Sequence, residues 1–397
     1  MRPQAMLHWH LRNNASKKVP PRSRSMPISS VFETTIERIS ILEPDGSFDE
    51  SLGAGLIPDD DAVQLYRHMM LCRQFDEIAF KLQRSGRMGT YPENRGQEAT
   101  SLGAAYALNK SDWLVTCYRE NAGLFWRGLP MEKILLHWMG DERGNHIDPD
   151  LHITPLAIPI GTQMLHAVGL AWADKYRGES SLSCTFFGDG ATSEGDFHEA
   201  MNFAANLEIP TIFFCQNNGW AISVPTKIQC SAPTIAQRAL AYGMRTIQVD
   251  GNDIFAVVKA VQNAADHARK TSQPSFIEAT TYRLGDHTTA DDARRYRDSD
   301  EVDSWQERDP IIRLRKYLEK RDLWDESRQS AMLVEAEKTV SDVVKRAEEI
   351  ETPTQSDMFD SMFATMPENL KAQRRTMRTS SLGQDPSQLP TPNTARA

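Results

Sequence analysis

The sequence has few cysteines and no long apolar run. It contains five cysteines in 397 residues, with no Cys-x-x-Cys pair, and several lie in text typical of buried strands. This pattern indicates reduced, buried thiols in an intracellular protein. No apolar stretch approaches the roughly 18 residues that a membrane span requires, so no membrane partner is expected. The formal net charge of −9 excludes nucleic acid as a partner of the whole chain.

Acidic residues are absent from the N-terminal segment. Residues 1–32 contain no aspartate or glutamate but carry several arginines, lysines and serines. We interpret residues 1–34 as a disordered basic extension of a cytoplasmic protein. The alternative is a mitochondrial transit peptide, which would place the protein in the matrix. Pro20 and Pro21, together with the lack of a long amphipathic period, favour the extension.

The rest of the sequence predicts one α/β domain followed by helices. Apolar, β-prone runs alternate with helical patterns over residues 35–300, which is typical of a parallel sheet flanked by helices. Residues 301–367 are amphipathic with a helical period and predict a helical C-terminal region. Residues 368–397 have little apolar surface to bury and predict a disordered tail.

One stretch predicts a strand, a helix and a second strand in succession. Residues 182–187 are uniformly apolar and stop at a Gly-Asp-Gly, residues 194–208 have a helical period, and residues 211–215 form a second apolar run that ends at Asn-Asn. A helix between two parallel strands makes a right-handed crossover, so both strand ends lie on one edge of the sheet. We therefore expect Asp189 and Asn218 to lie side by side, where open α/β sheets bind ligands.

These two residues offer hard oxygen atoms, which suit Mg²⁺ shared with a phosphate ligand. The flanking Gly188 and Gly190 let the backbone approach such a ligand, and the following helix N-terminus favours an anion. One alternative is a tight turn that binds nothing. A dinucleotide site is disfavoured because Ser193 stands where the third glycine of the fingerprint would be.

The text GDGATSEGDFHEAMNFA at residues 188–204 and NNGWAIS at residues 217–223 resembles a thiamine diphosphate (ThDP) binding motif. It is similar to the alpha subunit of the decarboxylase component of 2-oxo acid dehydrogenase complexes. The resemblance implies a ThDP-binding fold and Mg²⁺ ligands from Asp189, Asn218 and the backbone oxygen of Trp220. The cofactor contacts that it implies in this stretch are Gly188, Asp189, Gly190, Ala191, Asn218 and Trp220.

Two further segments are similar to the same family. YRENAGLFWRG begins with Tyr118 and Arg119, which the resemblance identifies as a diphosphate clamp; on the residues alone, a surface salt bridge is the alternative. Asn121 departs from the histidine frequent in the family. The segment around Ile158 and Ile160 resembles the one that bends the cofactor, although a core isoleucine would look the same.

A histidine loop completes the set of expected site residues. His287 follows a predicted strand, so it should lie on the ligand edge of the sheet, and the text LGDHTTADDARRYR resembles the family's mobile loop. The resemblance implies that His287 contacts the diphosphate side, and that Tyr296 and Arg297 end the catalytic loop. Thr288 falls where some members carry a phosphorylated serine.

The resemblance also implies an activity and partners. The activity is decarboxylation of a 2-oxo acid and transfer of the acyl unit to a lipoyl group on an acyltransferase component. The partner is a beta subunit, in a heterotetramer of two alpha and two beta chains, which supplies the glutamate for the cofactor's pyrimidine ring. Pyruvate is the favoured substrate; branched-chain 2-oxo acid dehydrogenase and acetoin dehydrogenase are alternatives. A further alternative, from a different class of function, is a non-catalytic α/β binding protein.

Overall fold

The structure is a computed structural model that describes residues 28–354, 357–360 and 363–381. The chain divides into two units after Thr35. In the first unit, residues 28–35 are exposed and contain no helix or strand; the rest of the predicted N-terminal extension lies outside the described residues. The helices and strands given below belong to the second unit.

A parallel sheet forms the centre of the second unit. Six strands pair in the order β1-β7-β8-β4-β3-β2, and every pairing in this sheet is parallel, whereas β5 and β6 form a small antiparallel pair. The predicted α/β architecture is confirmed. The strands are β1 Arg38–Ile39, β2 Trp113–Val115, β3 Ser183–Gly188, β4 Thr211–Asn217, β5 Trp220–Ala221, β6 Val224–Pro225, β7 Arg245–Asp250 and β8 Ser275–Thr280.

Helices flank the sheet and form the C-terminal part of the described chain. They are α1 Glu50–Gly53, α2 Asp59–Arg84, α3 Glu98–Ala107, α4 Asn121–Arg127, α5 Met131–Trp138, α6 Thr162–Arg177, α7 Gly195–Asn206, α8 Thr226–Gln229, α9 Gln237–Leu240, α10 Ile254–Thr271, α11 Ser299–Gln306, α12 Pro310–Lys320, α13 Glu326–Glu348, α14 Asp357–Asp360 and α15 Glu368–Ser381. Short 3-10 turns occur at Glu142–Asn145, Pro149–Leu151, Asp189–Ser193 and Ala293–Arg295.

Both faces of the sheet are buried, which explains why its strands read as unbroken apolar runs. Phe186 and Phe214 point into the larger core, which includes residues of α2, α3, α10 and α13. Phe187 and Phe213 point into the second core, formed with α6, α7 and α9. Successive side chains of a strand alternate between faces, so each strand contributes to both cores.

The C-terminal part differs from the sequence prediction in one respect. The predicted disordered tail begins at residue 368, but Glu368–Ser381 is helical. A polar segment with little to bury can still form a helix through its own backbone hydrogen bonds, supported here by ion pairs of Lys371 with Glu368 and of Arg374 with Asp360. Residues 382–397 lie outside the described residues.

The five cysteines are all buried and unpaired, as the sequence predicts. Among the described residues, no helix has both the length and the apolarity to cross a membrane.

Candidate functional site

Four adjacent strands, β2, β3, β4 and β8, end at the same edge of the sheet. Polar residues follow each of these ends, and together they line a cavity of about 460 Å³, a size typical of small-molecule sites. The predicted placement of Asp189 and Asn218 on one edge is confirmed, because both line this cavity. The strand-end residues are Tyr118 and Arg119 after β2, Asp189 after β3, Asn218 after β4, and Arg283 and His287 after β8.

The cavity collects the residues that the sequence identified as cofactor contacts. Those that line it are Tyr118, Arg119, Ile158, Ile160, Gly188, Asp189, Gly190, Ala191, Asn218, Trp220 and His287. The two remaining site residues, Tyr296 and Arg297, are not among the residues that line the cavity. Tyr296 accepts a hydrogen bond from Arg283 over 3.1 Å, and Arg297 donates to the backbone oxygen of Leu284 over 3.0 Å. They therefore contact the wall and not the cavity.

Asp189 is a buried carboxylate with a neutral partner. Its side chain is buried, and Oδ2 accepts a hydrogen bond from the Thr226 hydroxyl over 2.8 Å. Burial raises the pKa of Asp189, because the charged form loses its hydration. A cation beside this carboxylate would restore the favourable environment of the ionised form.

Asn218 is held in one orientation next to Asp189. Its Oδ1 accepts the backbone N–H of Trp220 over 3.2 Å, and its Nδ2 donates to Oε1 of Gln97 over 3.0 Å. Oδ1 has a second lone pair available for a cation. Among the described residues there is no group of three or more His, Cys, Asp or Glu that could hold a metal. A metal here would therefore depend on neutral oxygen atoms and on oxygen atoms of a bound anion.

Two buried arginines give the cavity positive charge. Arg119 is 6% exposed and Arg283 is 1% exposed. Arg119 donates to the backbone oxygens of Glu93 and His287 over 2.5 and 2.8 Å, and the hydrogen bonds of Arg283 in the described chain also go to neutral atoms. Two buried guanidinium groups whose hydrogen-bond partners are neutral favour an anionic ligand, because a buried charge gains most from a counter-ion at hydrogen-bond distance.

The sequence reasoning missed Arg283. Its Nη1 donates to the backbone oxygen of Trp220 over 3.3 Å and its Nη2 to that of Ile222 over 2.8 Å. Burial, followed by the charges of Arg119 and Arg297, lowers the pKa of Arg283 to about 10, so it stays protonated at neutral pH. The available signal was its position just after β8, which is the same signal that identified Arg119 after β2.

His287 lies between these two arginines. Its Nδ1 is 3.4 Å from Nη2 of Arg119 and 3.2 Å from Nη1 of Arg283. A guanidinium only donates, so Nδ1 is the acceptor and the ring proton is on Nε2. Burial and the two positive charges lower the pKa of His287 to about 3. The imidazole is therefore neutral at physiological pH and offers an Nε2–H donor.

Two other carboxylates near the cavity, Glu120 and Glu98, have different surroundings from Asp189. Glu120 is buried, and its oxygens accept from Nε2 of Gln216 over 2.5 Å and from the backbone N–H of Arg119 over 3.0 Å. Burial raises the pKa of Glu120 to about 7. Glu98 forms an ion pair of 2.5 Å with Arg73. The contacts of both glutamates are those of structural residues.

The arrangement fits a diphosphate with a divalent cation. The guanidinium groups of Arg119 and Arg283 provide positive charge for the diphosphate, and Asp189 provides a carboxylate for the cation. Gly190 packs closely against Ala221 in the cavity wall, because a Cβ at this position would lie 2.8 Å from the Cβ of Ala221. The cavity thus combines the groups that the sequence predicted with an arginine that it did not.

Comparisons with known proteins agree with this chemistry. Residues 66–356 match the family model described as dehydrogenase E1 component. The chain is 40% identical over 353 residues to the 3-methyl-2-oxobutanoate dehydrogenase subunit alpha of Mycobacterium tuberculosis, which covers 89% of this chain and 96% of that protein. It is 38% identical over 345 residues to the pyruvate dehydrogenase E1 component subunit alpha of Staphylococcus aureus, which covers 86% and 92% respectively.

Membership of this family implies thiamine diphosphate as cofactor, and a beta subunit and an acyltransferase as partners. The matched segment contains the strand-end residues of the cavity. The chain belongs to the dehydrogenase E1 component family, as an alpha subunit of a thiamine diphosphate-dependent 2-oxo acid dehydrogenase.

Proposed function

We propose that this chain binds the Mg²⁺-diphosphate end of ThDP in the described cavity and, with a beta subunit, decarboxylates a 2-oxo acid. The observation that carries the proposal is that one cavity contains buried cations, which favour an anionic ligand, and a buried carboxylate, which favours a cation. Arg119 and Arg283 are buried cations that have neutral partners, and Asp189 is a buried carboxylate that also has one. A diphosphate bound together with Mg²⁺ satisfies all three.

The metal end is assigned to one side of the cavity. Asp189, Asn218 and the backbone oxygen of Trp220 are proposed to hold Mg²⁺, with the remaining ligands from the diphosphate and water. Thr226 supports this role, because its hydroxyl holds one oxygen of Asp189 and leaves the other for the metal. Such outer contacts orient a ligand and tune its affinity for the metal.

The phosphate end is assigned to the arginines. Arg119 and Arg283 present N–H groups that can fork onto phosphate oxygens, and the hydroxyl of Tyr118 adds another donor. His287 contributes its Nε2–H as a neutral donor. Gly188, Gly190 and Ala191 supply the backbone against which the diphosphate lies. The family resemblance supports each of these assignments except that of Arg283, which rests on its contacts.

The apolar wall is proposed to hold the organic rings of the cofactor. Ile158 and Ile160 line the cavity and are 45% and 42% exposed, so both are available for contact. When bound, thiamine diphosphate supplies a nucleophilic carbon that adds to the 2-oxo group and accepts the electrons left when carbon dioxide departs. The isoleucines would position its rings and exclude water from them.

The proposed roles of Tyr296 and Arg297 are indirect. Tyr296 contacts Arg283 through its hydroxyl, and its ring packs 5.5 Å from that of Trp220. Arg297 donates to the backbone oxygens of Arg283 and Leu284. We therefore assign them as positioning residues for Arg283 instead of as groups that touch substrate.

A beta subunit is proposed to complete the site, in a heterotetramer of two alpha and two beta chains. The cavity rim carries exposed apolar side chains at Ile158, Ile160 and Ile222, which a partner surface would cover. Glu98 and Glu120 are held by protein donors. The family resemblance assigns to the partner the carboxylic acid that must face the pyrimidine ring. The acyl unit then passes to a lipoyl group on the acyltransferase.

The test described below compares two candidate 2-oxo acid substrates. Pyruvate is the substrate that the sequence favours, and a relative 38% identical is named for it; a relative 40% identical is named for 3-methyl-2-oxobutanoate. The five unpaired cysteines and the bacterial relatives support a bacterial cytoplasm as the compartment.

The test is turnover by the purified complex with its cognate beta chain, saturated with ThDP and Mg²⁺, on pyruvate, 3-methyl-2-oxobutanoate and acetoin. Carbon dioxide release from a 2-oxo acid supports the proposal, and the ratio of kcat/KM values identifies the substrate. Turnover of acetoin alone, or of none of the three, would contradict it.

A further inference from the structure

We propose that Gln97 is a cofactor-binding residue whose side-chain amide donates a hydrogen bond to the diphosphate. The inference rests on the proposed function of the cavity and extends it to a residue for which no role has been assigned. Gln97 is 1% exposed, immediately precedes α3, and lines the cavity beside Asn218.

The orientation of its amide follows from a fixed backbone donor. The Trp220 N–H donates to Oδ1 of Asn218 over 3.2 Å, and a backbone N–H cannot act as an acceptor. The other end of the Asn218 amide is therefore Nδ2, which lies 3.0 Å from Gln97. Because Nδ2 only donates, the atom of Gln97 that it meets is Oε1. The free end of the Gln97 amide is consequently its NH₂ group.

That NH₂ group has no acceptor. Nε2 of Gln97 is buried and has no hydrogen-bond partner among the described residues. A buried donor without a partner is destabilising and is rare in native proteins, so its acceptor is expected from a ligand. The nearby charges of Arg119 and Arg283 favour an anionic oxygen as that acceptor.

Two other glutamines in the cavity wall differ from Gln97, because their NH₂ groups have acceptors. Nε2 of Gln163 donates to the backbone oxygen of Phe186 over 2.9 Å, and Nε2 of Gln216 donates to Oε1 of Glu120 over 2.5 Å. Their donors are satisfied within the protein. The side-chain oxygen of Gln97 thus accepts from Asn218, the proposed metal ligand, and its nitrogen is available to the diphosphate.

The test is calorimetric titration of ThDP into the assembled alpha–beta complex at a series of Mg²⁺ concentrations up to saturation. Gln97→Glu keeps an acceptor for Asn218 but replaces the NH₂ donor with an anionic oxygen. We expect it to weaken ThDP binding at least tenfold. Gln237→Glu, at an exposed position on α9, makes the same chemical change away from the cavity and should bind as the wild type does.

A second variant keeps the test decisive if Gln97→Glu fails to assemble. Gln97→Met has a similar length and no donor, and should weaken binding threefold or more. Unchanged affinity in an assembled Gln97 variant, or full recovery of affinity by excess Mg²⁺, would overturn the donor role. Recovery by Mg²⁺ would mean that Gln97 acts only through Asn218. If the wild-type complex itself bound no ThDP, the proposed function would fail, and the Gln97 role with it.

Discussion

The guanidinium of Arg283 directs Nη1 at the ring nitrogen Nδ1 of His287 over 3.2 Å. A protonated imidazole could not accept this bond, and Arg119 approaches the same nitrogen. The two arginines therefore fix both the charge and the tautomer of the histidine. His287 is thus a neutral donor in the site, although an isolated histidine titrates near neutral pH.

This relationship gives a prediction about protonation. Burial and the two arginines lower the pKa of His287 to about 3, so its ring should stay neutral, with the proton on Nε2, from pH 5 to 8. Nitrogen NMR of histidine-labelled protein measures this directly, and His287→Gln identifies the signal. A titration midpoint between pH 6 and 7 for that signal would contradict the geometry.

Arg119 should contribute strongly to cofactor affinity. A charge-assisted hydrogen bond is worth about 1.5–3 kcal/mol, so Arg119→Ala should weaken ThDP binding by at least tenfold. Arg294→Ala is the matched control, because Arg294 is 90% exposed and pairs only with Asp292 in the described chain. A loss below twofold for Arg119→Ala in calorimetric titration would favour a structural role for this arginine.

Asp76 should make the stability of the chain depend on pH. It is fully buried, and burial, followed by the charge of Glu93, raises its pKa to about 8 from 3.8. Between these values the folded state binds more protons than the unfolded state, so stability is greatest at the acidic end and falls as pH rises.

Asp76→Asn should therefore flatten the dependence of the free energy of unfolding on pH over that window. Urea denaturation at a series of pH values measures it, and Asp60→Asn at the exposed start of α2 is the control. An equally steep slope in wild type and Asp76→Asn would show that Asp76 is ionised in the fold.

The chain alone should not decarboxylate 2-oxo acids. Glu98 and Glu120 are engaged by Arg73 and Gln216, and the apolar rim of the cavity is exposed. Purified alone, the chain should bind ThDP weakly, self-associate and show no turnover; addition of the beta chain should restore binding, a defined assembly and activity together. Turnover by the isolated chain at the rate of the mixed complex would overturn this half-site account.

The sequence predicted the sheet and much of the site because these depend on local patterns. Buried strands have uniform apolar runs, and a crossover places Asp189 and Asn218 on one edge whatever the rest of the chain does. Arg283 and Gln97 were missed as candidate ligand contacts, because the role of an arginine or a glutamine depends on which partners surround it after folding. Only the tertiary structure determines whether these side chains are buried and which of their donors lack a partner.

The predicted tail shows a structural feature that composition does not predict. No side chain of residues 368–377 is buried, in keeping with their low apolar content, but composition does not measure the ability of a polar segment to form a helix. Glu368–Ser381 is helical and contains a local ion pair between Lys371 and Glu368. Composition therefore predicts burial better than it predicts local secondary structure.

The most direct test of the account is ThDP affinity of the assembled complex with and without Mg²⁺, in wild type and Asp189→Asn. The substitution keeps the shape of the side chain but removes the charge that the metal requires, while Asp300→Asn at the exposed start of α11 serves as control. The account predicts Mg²⁺-dependent binding in wild type and the control, and its loss in Asp189→Asn with the fold intact. Equal, Mg²⁺-dependent affinity in Asp189→Asn would contradict the assignment of the cavity.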